Sequence, residues 1–139
     1  MAGSTVVDEL LGEISGKITD KFVELLLQGM KTCFVLSSSY RKNIENFKGS
    51  YVLRTDNDSV CLAAVFDSGS MEILESAPDE WDTRVTFANV AAFHKFLFSH
   101  DHDILNSLLA NDVEVDGNLN YIYKFGFMAR ELLLRIGMS

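Results

Sequence analysis

YVLRTDNDSVCLAAVFDSGSMEILE, residues 51–75, is where the chain stops repeating its apolar residues at helical spacing and starts alternating them. Tyr51 and Leu53 share one face of a strand that ends at Thr55-Asp56-Asn57-Asp58, a polar run suited to a hairpin turn. Val60, Leu62, Ala64 and Phe66 then alternate with Cys61, Ala63 and Val65. A run that is apolar on both sides marks a central strand. Asp67-Ser68-Gly69-Ser70 reads as a second turn and Met71–Glu75 as a third strand, so the stretch predicts a three-stranded antiparallel meander.

Upstream, the spacing is helical. Val6, Leu10, Leu11 and Ile14 follow a possible cap at Thr5, and a stronger helix starts near Thr19-Asp20. Phe22, Leu25, Leu26, Met30, Cys33 and Phe34 form its apolar face. Ser37-Ser38-Ser39 interrupts it, and Tyr40, Ile44 and Phe47 make a short third stripe that ends at Lys48-Gly49. Downstream, Pro78-Asp79-Glu80 marks a loop before a fourth strand, Thr83–Phe87. Asn89 can cap a helix that carries Val90, Phe93 and Leu97. Ile104, Leu105, Leu108 and Leu109 suggest a short helix, and Val113-Glu114-Val115 a brief strand closed by Asp116-Gly117. A long last helix carries Leu119, Ile122, Phe125, Ala129, Leu132, Leu133 and Ile136. Helices around strands in this order predict an α+β sheet with one face covered. The 139 residues fit a single domain, with a helical part at 1–47 and a sheet part at 48–139.

Composition narrows the function. Hydrophobic residues make up 47% of the chain, which argues against disorder. The net charge is −8, and the excess lies in residues 51–139, with fourteen acidic against six basic side chains. Such a surface repels phosphate backbones and anionic headgroups, so nucleic acid is not an expected partner. No apolar run reaches the length of a membrane span, no signal peptide is visible at the start, and stable membrane insertion is not expected. Cys33 and Cys61 lack metal-ligand spacing and read as reduced thiols in the cytoplasm.

Catalytic motifs are sparse. Ser99-His100-Asp101-His102-Asp103, with His94 upstream, holds metal-ligand chemistries, but it lies in a polar connection and lacks a completing cluster. Gly69-Ser70 has no strand-to-helix elbow around it. Phosphate-binding glycine loops are absent. The expectation is therefore a chain with no catalytic residue, no metal and no cofactor. Tyr121 and Phe127 fall off the main stripe of the last helix, an aromatic surplus that calls for a ligand or a second surface.

The order and spacing of residues 82–135 resemble the sterol carrier protein 2 family. Asp82-Thr83-Arg84-Val85-Thr86-Phe87 looks like the family's acidic residue and alternating strand, and Asn89–Phe98 like the helix after it. Asp103–Asn111 is similar to its short helix. Val113-Glu114-Val115-Asp116-Gly117-Asn118-Leu119 is similar to its last strand, turn glycine and helix start. Phe47–Val52 fits its first strand more loosely. Ile104, Asn111 and Asn118 depart from the family's usual proline, glycine and aspartate, though asparagine is the non-glycine residue best suited to a helix-ending left-handed position.

The resemblance implies a five-stranded, mostly antiparallel sheet with helices on one face, enclosing an apolar tunnel, plus a helical N-terminal extension. In the family such a tunnel holds fatty acids, acyl-CoA, sterols or phospholipids without catalysis; a quinone is equally apolar. Carried over, its wall would be Val85 and Phe87 from the strand, Phe93 and Leu97, then Leu105 and Leu109. Ile122, Phe125, Ala129 and Leu133 of the last helix would close it, and small Gly126 and Ala129 would leave room beside it. Arg84, Lys124 and Arg130 are candidate polar anchors. The rival expectation is a ligand-free accessory or dimerisation module, a homodimer or a partner-enzyme dock.

Overall fold

The computed structural model describes residues 21–93 and 113–136. The expected first helix, the short helix at 104–109 and the His-Asp run at 99–103 lie outside these residues. So do the proposed caps Thr19 and Asp20.

Helix α1 spans Lys21–Leu36 and buries Phe22, Leu25, Leu26, Met30 and Phe34, the face expected from spacing. Ser37 ends it and caps the next turn: its hydroxyl accepts from the Tyr40 amide at 3.2 Å, and the four-residue α2, Ser38–Arg41, follows. A 3-10 turn at Lys42–Ile44 leads into the sheet.

Strands β1 (Lys48–Thr55), β2 (Cys61–Asp67) and β3 (Ser70–Leu74) form the antiparallel meander. The β1–β2 loop is longer than the four-residue turn expected, because Val60 lies outside the strand; the Thr55 amide donates to its carbonyl at 2.9 Å. The β2–β3 turn has only Ser68 and Gly69 between paired Asp67 and Ser70, both at positive φ (48° and 100°). That is the backbone a two-residue hairpin needs to follow the sheet's twist.

Strand β4 (Thr83–Phe87) pairs with β1 in parallel, and β5 (Val113–Gly117) pairs antiparallel with β4. The order is β3-β2-β1-β4-β5, a five-stranded sheet with one parallel pair. The centre is thus β1, and β2 is an interior strand beside it. The parallel pair starts at a clamp: the Asp82 carboxylate accepts from the Ser50 amide at 2.8 Å and its hydroxyl at 3.1 Å. Gly117 ends β5 at φ 105°, and a Cβ there would collide with the Asp82 carbonyl, so this close approach requires glycine.

Residues 90–93 begin a helix that Asn89 caps, its Oδ1 accepting from the Ala92 amide at 2.8 Å. The last helix, α3, spans Leu119–Arg135 and is capped by Asn118, whose Oδ1 accepts from the Asn120 amide at 2.9 Å. Asparagine in place of the usual aspartate keeps that cap. The core lies between α1, α3 and one sheet face, where Tyr51, Leu53, Ala64, Phe66, Val85 and Phe87 are all buried. The opposite face carries polar pairs such as Arg54 Nε–Thr86 Oγ1 at 3.1 Å and Arg84–Asp116 at 2.9 Å.

Candidate functional site

The register brings much of the expected wall together. Leu53 pairs with Val85 and Thr55 with Phe87, so both wall residues of β4 face the helices beside the centre of the sheet. Phe93 lies against Phe87, ring centroids 4.4 Å apart, and reaches Phe22 of α1 at 5.9 Å; both contacts are edge-on. Phe125 packs against Tyr51 of β1 at 5.5 Å. Val85, Phe87, Phe93, Ile122, Phe125, Ala129 and Leu133 are each no more than 2% exposed, and Gly126 is buried with them. Leu97, Leu105 and Leu109 lie outside the described residues.

Two edges run along α3, one on each side of the buried Phe125 and Leu132. Ile122, Gly126, Ala129 and Leu133 recur at three- and four-residue spacing and form one edge. Tyr121, Lys124, Met128, Glu131 and Arg135 recur at the same spacing and form the other. This second edge is bonded to the rest of the molecule. The Tyr51 hydroxyl donates to the Tyr121 carbonyl at 2.8 Å, and the Tyr40 hydroxyl to the Met128 carbonyl at 2.6 Å. Burial pushes both phenols well above the ordinary tyrosine value, so they stay protonated donors. Arg135 stacks over the Tyr40 ring at 5.4 Å and donates to Ser37 and Ser39, while Glu131 holds it at 2.8 Å.

These tyrosine locks were not foreseen. Tyr40 and Tyr51 read simply as members of apolar stripes; the available signal was that a buried phenol needs a hydrogen-bond acceptor. The aromatic surplus of α3 is resolved in part. Tyr121 packs on Phe47 at 5.2 Å and on Tyr51 at 5.8 Å, whereas Tyr123 and Phe127 remain about half exposed. With Leu119 and Leu134 they form an outward apolar stripe.

Two open depressions lie elsewhere. One, of about 340 Å³, is lined by Lys21, Glu24, Glu75 and the start of β2; the other, of about 590 Å³, by Ser50 and Asp79–Asp82. Neither contains a wall residue. No group of histidine, cysteine and carboxylate side chains suited to a metal ion occurs among the described residues. Cys33 and Cys61 are free and half-buried, and burial pushes the Cys33 thiol up, away from nucleophilic chemistry. No described helix is long and apolar enough to cross a membrane.

A sheet ordered β3-β2-β1-β4-β5, with one parallel pair at its centre and a long closing helix, matches several solved structures. This is the sterol carrier protein 2 fold. The chain is similar to a UbiJ-SCP2 ubiquinone synthesis protein, with a TM-score of 0.57 and 16% identity over 80% of this chain and 98% of that one. It is also similar to the sterol carrier protein domain 2 of Helicoverpa armigera, with a TM-score of 0.52 and 12% identity over 81% and 87% of the two chains. A segment of a stereoselective inverting sec-alkylsulfatase from Pseudomonas sp. is similar to the chain as well. It aligns at a TM-score of 0.51 and 12% identity, over 65% of this chain but only 14% of the enzyme. No model of a protein family and no curated protein sequence matches the chain.

Proposed function

We propose that residues 1–139 form a single non-catalytic lipid-carrier domain of the cytoplasm. It holds a fatty acyl, sterol, quinone or other apolar ligand between β4 and the Gly126 edge of α3. The observation that carries this reading is the convergence of Val85, Phe87, Phe93, Ile122, Phe125, Ala129 and Leu133 on one buried region of a sterol carrier fold. Leu97, Leu105 and Leu109 complete the wall in this reading. At about 0.8 kcal/mol per buried methylene, an acyl chain of about fifteen contributes about 12 kcal/mol; an association cost of about 4 kcal/mol, the low end of its range, leaves about 8 kcal/mol, which is micromolar affinity. Loose, reversible binding of that kind suits a carrier. Titration with a fluorescent fatty acid tests it: saturable uptake, displaced by unlabelled fatty acid, is the expected result. No uptake at tens of micromolar would reject the carrier reading.

A second reading rests on the outward stripe of α3. Leu119, Tyr123, Phe127 and Leu134 are 39–63% exposed, more apolar surface than a helix with one buried face needs. The same fold makes up a small part of the alkylsulfatase chain, which suits an accessory role. Here the chain would be a dimerisation or docking module. Sedimentation across a concentration series, with Phe127→Ser as the disrupting variant, separates this reading from a monomeric carrier.

A further inference from the structure

Three cations stand close to the wall in sequence, and the structure treats them differently. Arg84 is committed to Asp116, with its Nη2 2.9 Å and its Nε 3.3 Å from one carboxylate oxygen, and it lies 5.0 Å over the Trp81 ring. Lys124 sits 4.8 Å above the Phe47 ring, on the bonded edge of α3. Arg130 makes no hydrogen bond or ion pair among the described residues. Its guanidinium folds back over Gly126: a Cβ built there would be 3.1 Å from Nη1 and 3.7 Å from Cζ. The missing side chain of Gly126 is the space the guanidinium uses.

That position is on the rim of the candidate wall. Arg130 follows Gly126 by four residues and Ala129 by one, and it precedes Leu133 by three. It is half-buried, and this burial, with no anion among the described residues to oppose it, pulls its pKa down. A partly desolvated charge without a counter-ion is unfavourable, and an incoming anion offsets that cost. The guanidinium fork matches a planar carboxylate or a phosphate with two parallel hydrogen bonds, which an ammonium cannot do. The local charge agrees. In a chain of net charge −8, three of the four charged residues of α3 are positive, and the single acid, Glu131, is held by Arg135.

We propose that Arg130 is the head-group anchor of the site, and that the ligand is an amphiphile with an anionic end, carboxylate or phosphate. Its head seats on the guanidinium and its chain runs along Gly126, Ala129 and Leu133. This rests on the lipid-carrier reading and narrows it: sterols and neutral quinones become the poorer ligands.

Calorimetric titration of the full chain with laurate, lauryl phosphate and lauryl alcohol tests the anchor at constant chain length. The wild type is expected to bind one or both anions about tenfold or more tightly than the alcohol, the scale of a charge-assisted hydrogen bond. Whether laurate or lauryl phosphate binds more tightly identifies the head group. In Arg130→Gln the ratio of anion to alcohol affinity is expected to fall to within about twofold of one, and Arg130→Lys to lie between. Lys31→Gln, at an exposed position of α1, is the charge-matched control and keeps the wild-type ratio. Equal binding of anion and alcohol by the wild type, or an anion preference that survives Arg130→Gln, would overturn the anchor while leaving the carrier reading intact. Failure of all three ligands to bind would overturn both.

Discussion

The two edges of α3 contrast in every respect that decides how a helix is used. The edge of Tyr121, Met128 and Arg135 is tied down by two buried phenols and a guanidinium bonded to the α1–α2 junction. The edge of Gly126, Ala129 and Leu133 carries small or aliphatic residues and Arg130, which has no hydrogen bond or ion pair among the described residues. A helix fixed along one edge does not swing away as a whole to admit a ligand. Accommodation falls to the other edge, so stability and binding belong to different residues of the same helix.

The largest expected effect breaks the fixed edge. Tyr40→Ala removes a fully buried ring together with its hydrogen bond to Met128, and a loss of about 3–5 kcal/mol is expected in urea unfolding. A loss below about 1 kcal/mol would mean that this edge does not hold α3.

Next in size is a substitution that fills the other edge. Ala129→Leu adds volume beside Gly126. If that edge borders a ligand space, uptake of a fluorescent fatty acid falls sharply while stability changes by less than about 1 kcal/mol. A fully packed interior instead gives overpacking of about 1–3 kcal/mol. The pair of measurements distinguishes the two.

Tyr40→Phe isolates the hydroxyl. Met128 keeps its helical hydrogen-bond partner, so a cost of about 0.5–1.5 kcal/mol is expected. The same group sets a pH dependence. The folded-state pKa values of Tyr40 and Tyr51 lie above the unfolded value, so above pH about 10 the unfolded chain releases protons that the folded chain retains. Their contribution is fully present below that pH and is lost as pH rises through the folded pKa values. Thermal unfolding at pH about 8 and about 11 should show the decline, and Tyr40→Phe should lessen it.

The smallest effect is a gain. Gly126→Ala improves helix propensity by about 0.5–1 kcal/mol, and the added methyl requires only that the flexible end of Arg130 shift. Stability should rise in urea unfolding. A net loss would mean that the guanidinium is fixed in place over Gly126.

Much of the fold was legible in the sequence because it is written in local periodicity. The α1 face from Phe22 to Phe34, the alternation of β1 through β3 and the Asn89 cap all follow from spacing and turn chemistry. The parallel pairing of β1 with β4 was not, since it joins residues about thirty apart through the Asp82–Ser50 clamp, and no local pattern encodes it. The proposed wall is read from the sequence as a set of apolar positions, and the structure buries those it describes. Which cation has no partner among the described residues could not be read, because Arg84, Lys124 and Arg130 look alike until Asp116 and Phe47 are placed against the first two. The tyrosine locks likewise depend on long-range contacts, from Tyr40 to Met128 and from Tyr51 to Tyr121.

Mass spectrometry of an organic extract from the purified chain, beside an extract of an unrelated control protein, bears most directly on the carrier reading. The account predicts a near-stoichiometric apolar amphiphile that the control lacks. An empty chain that also fails to take up a fluorescent fatty acid would contradict it and favour the docking module.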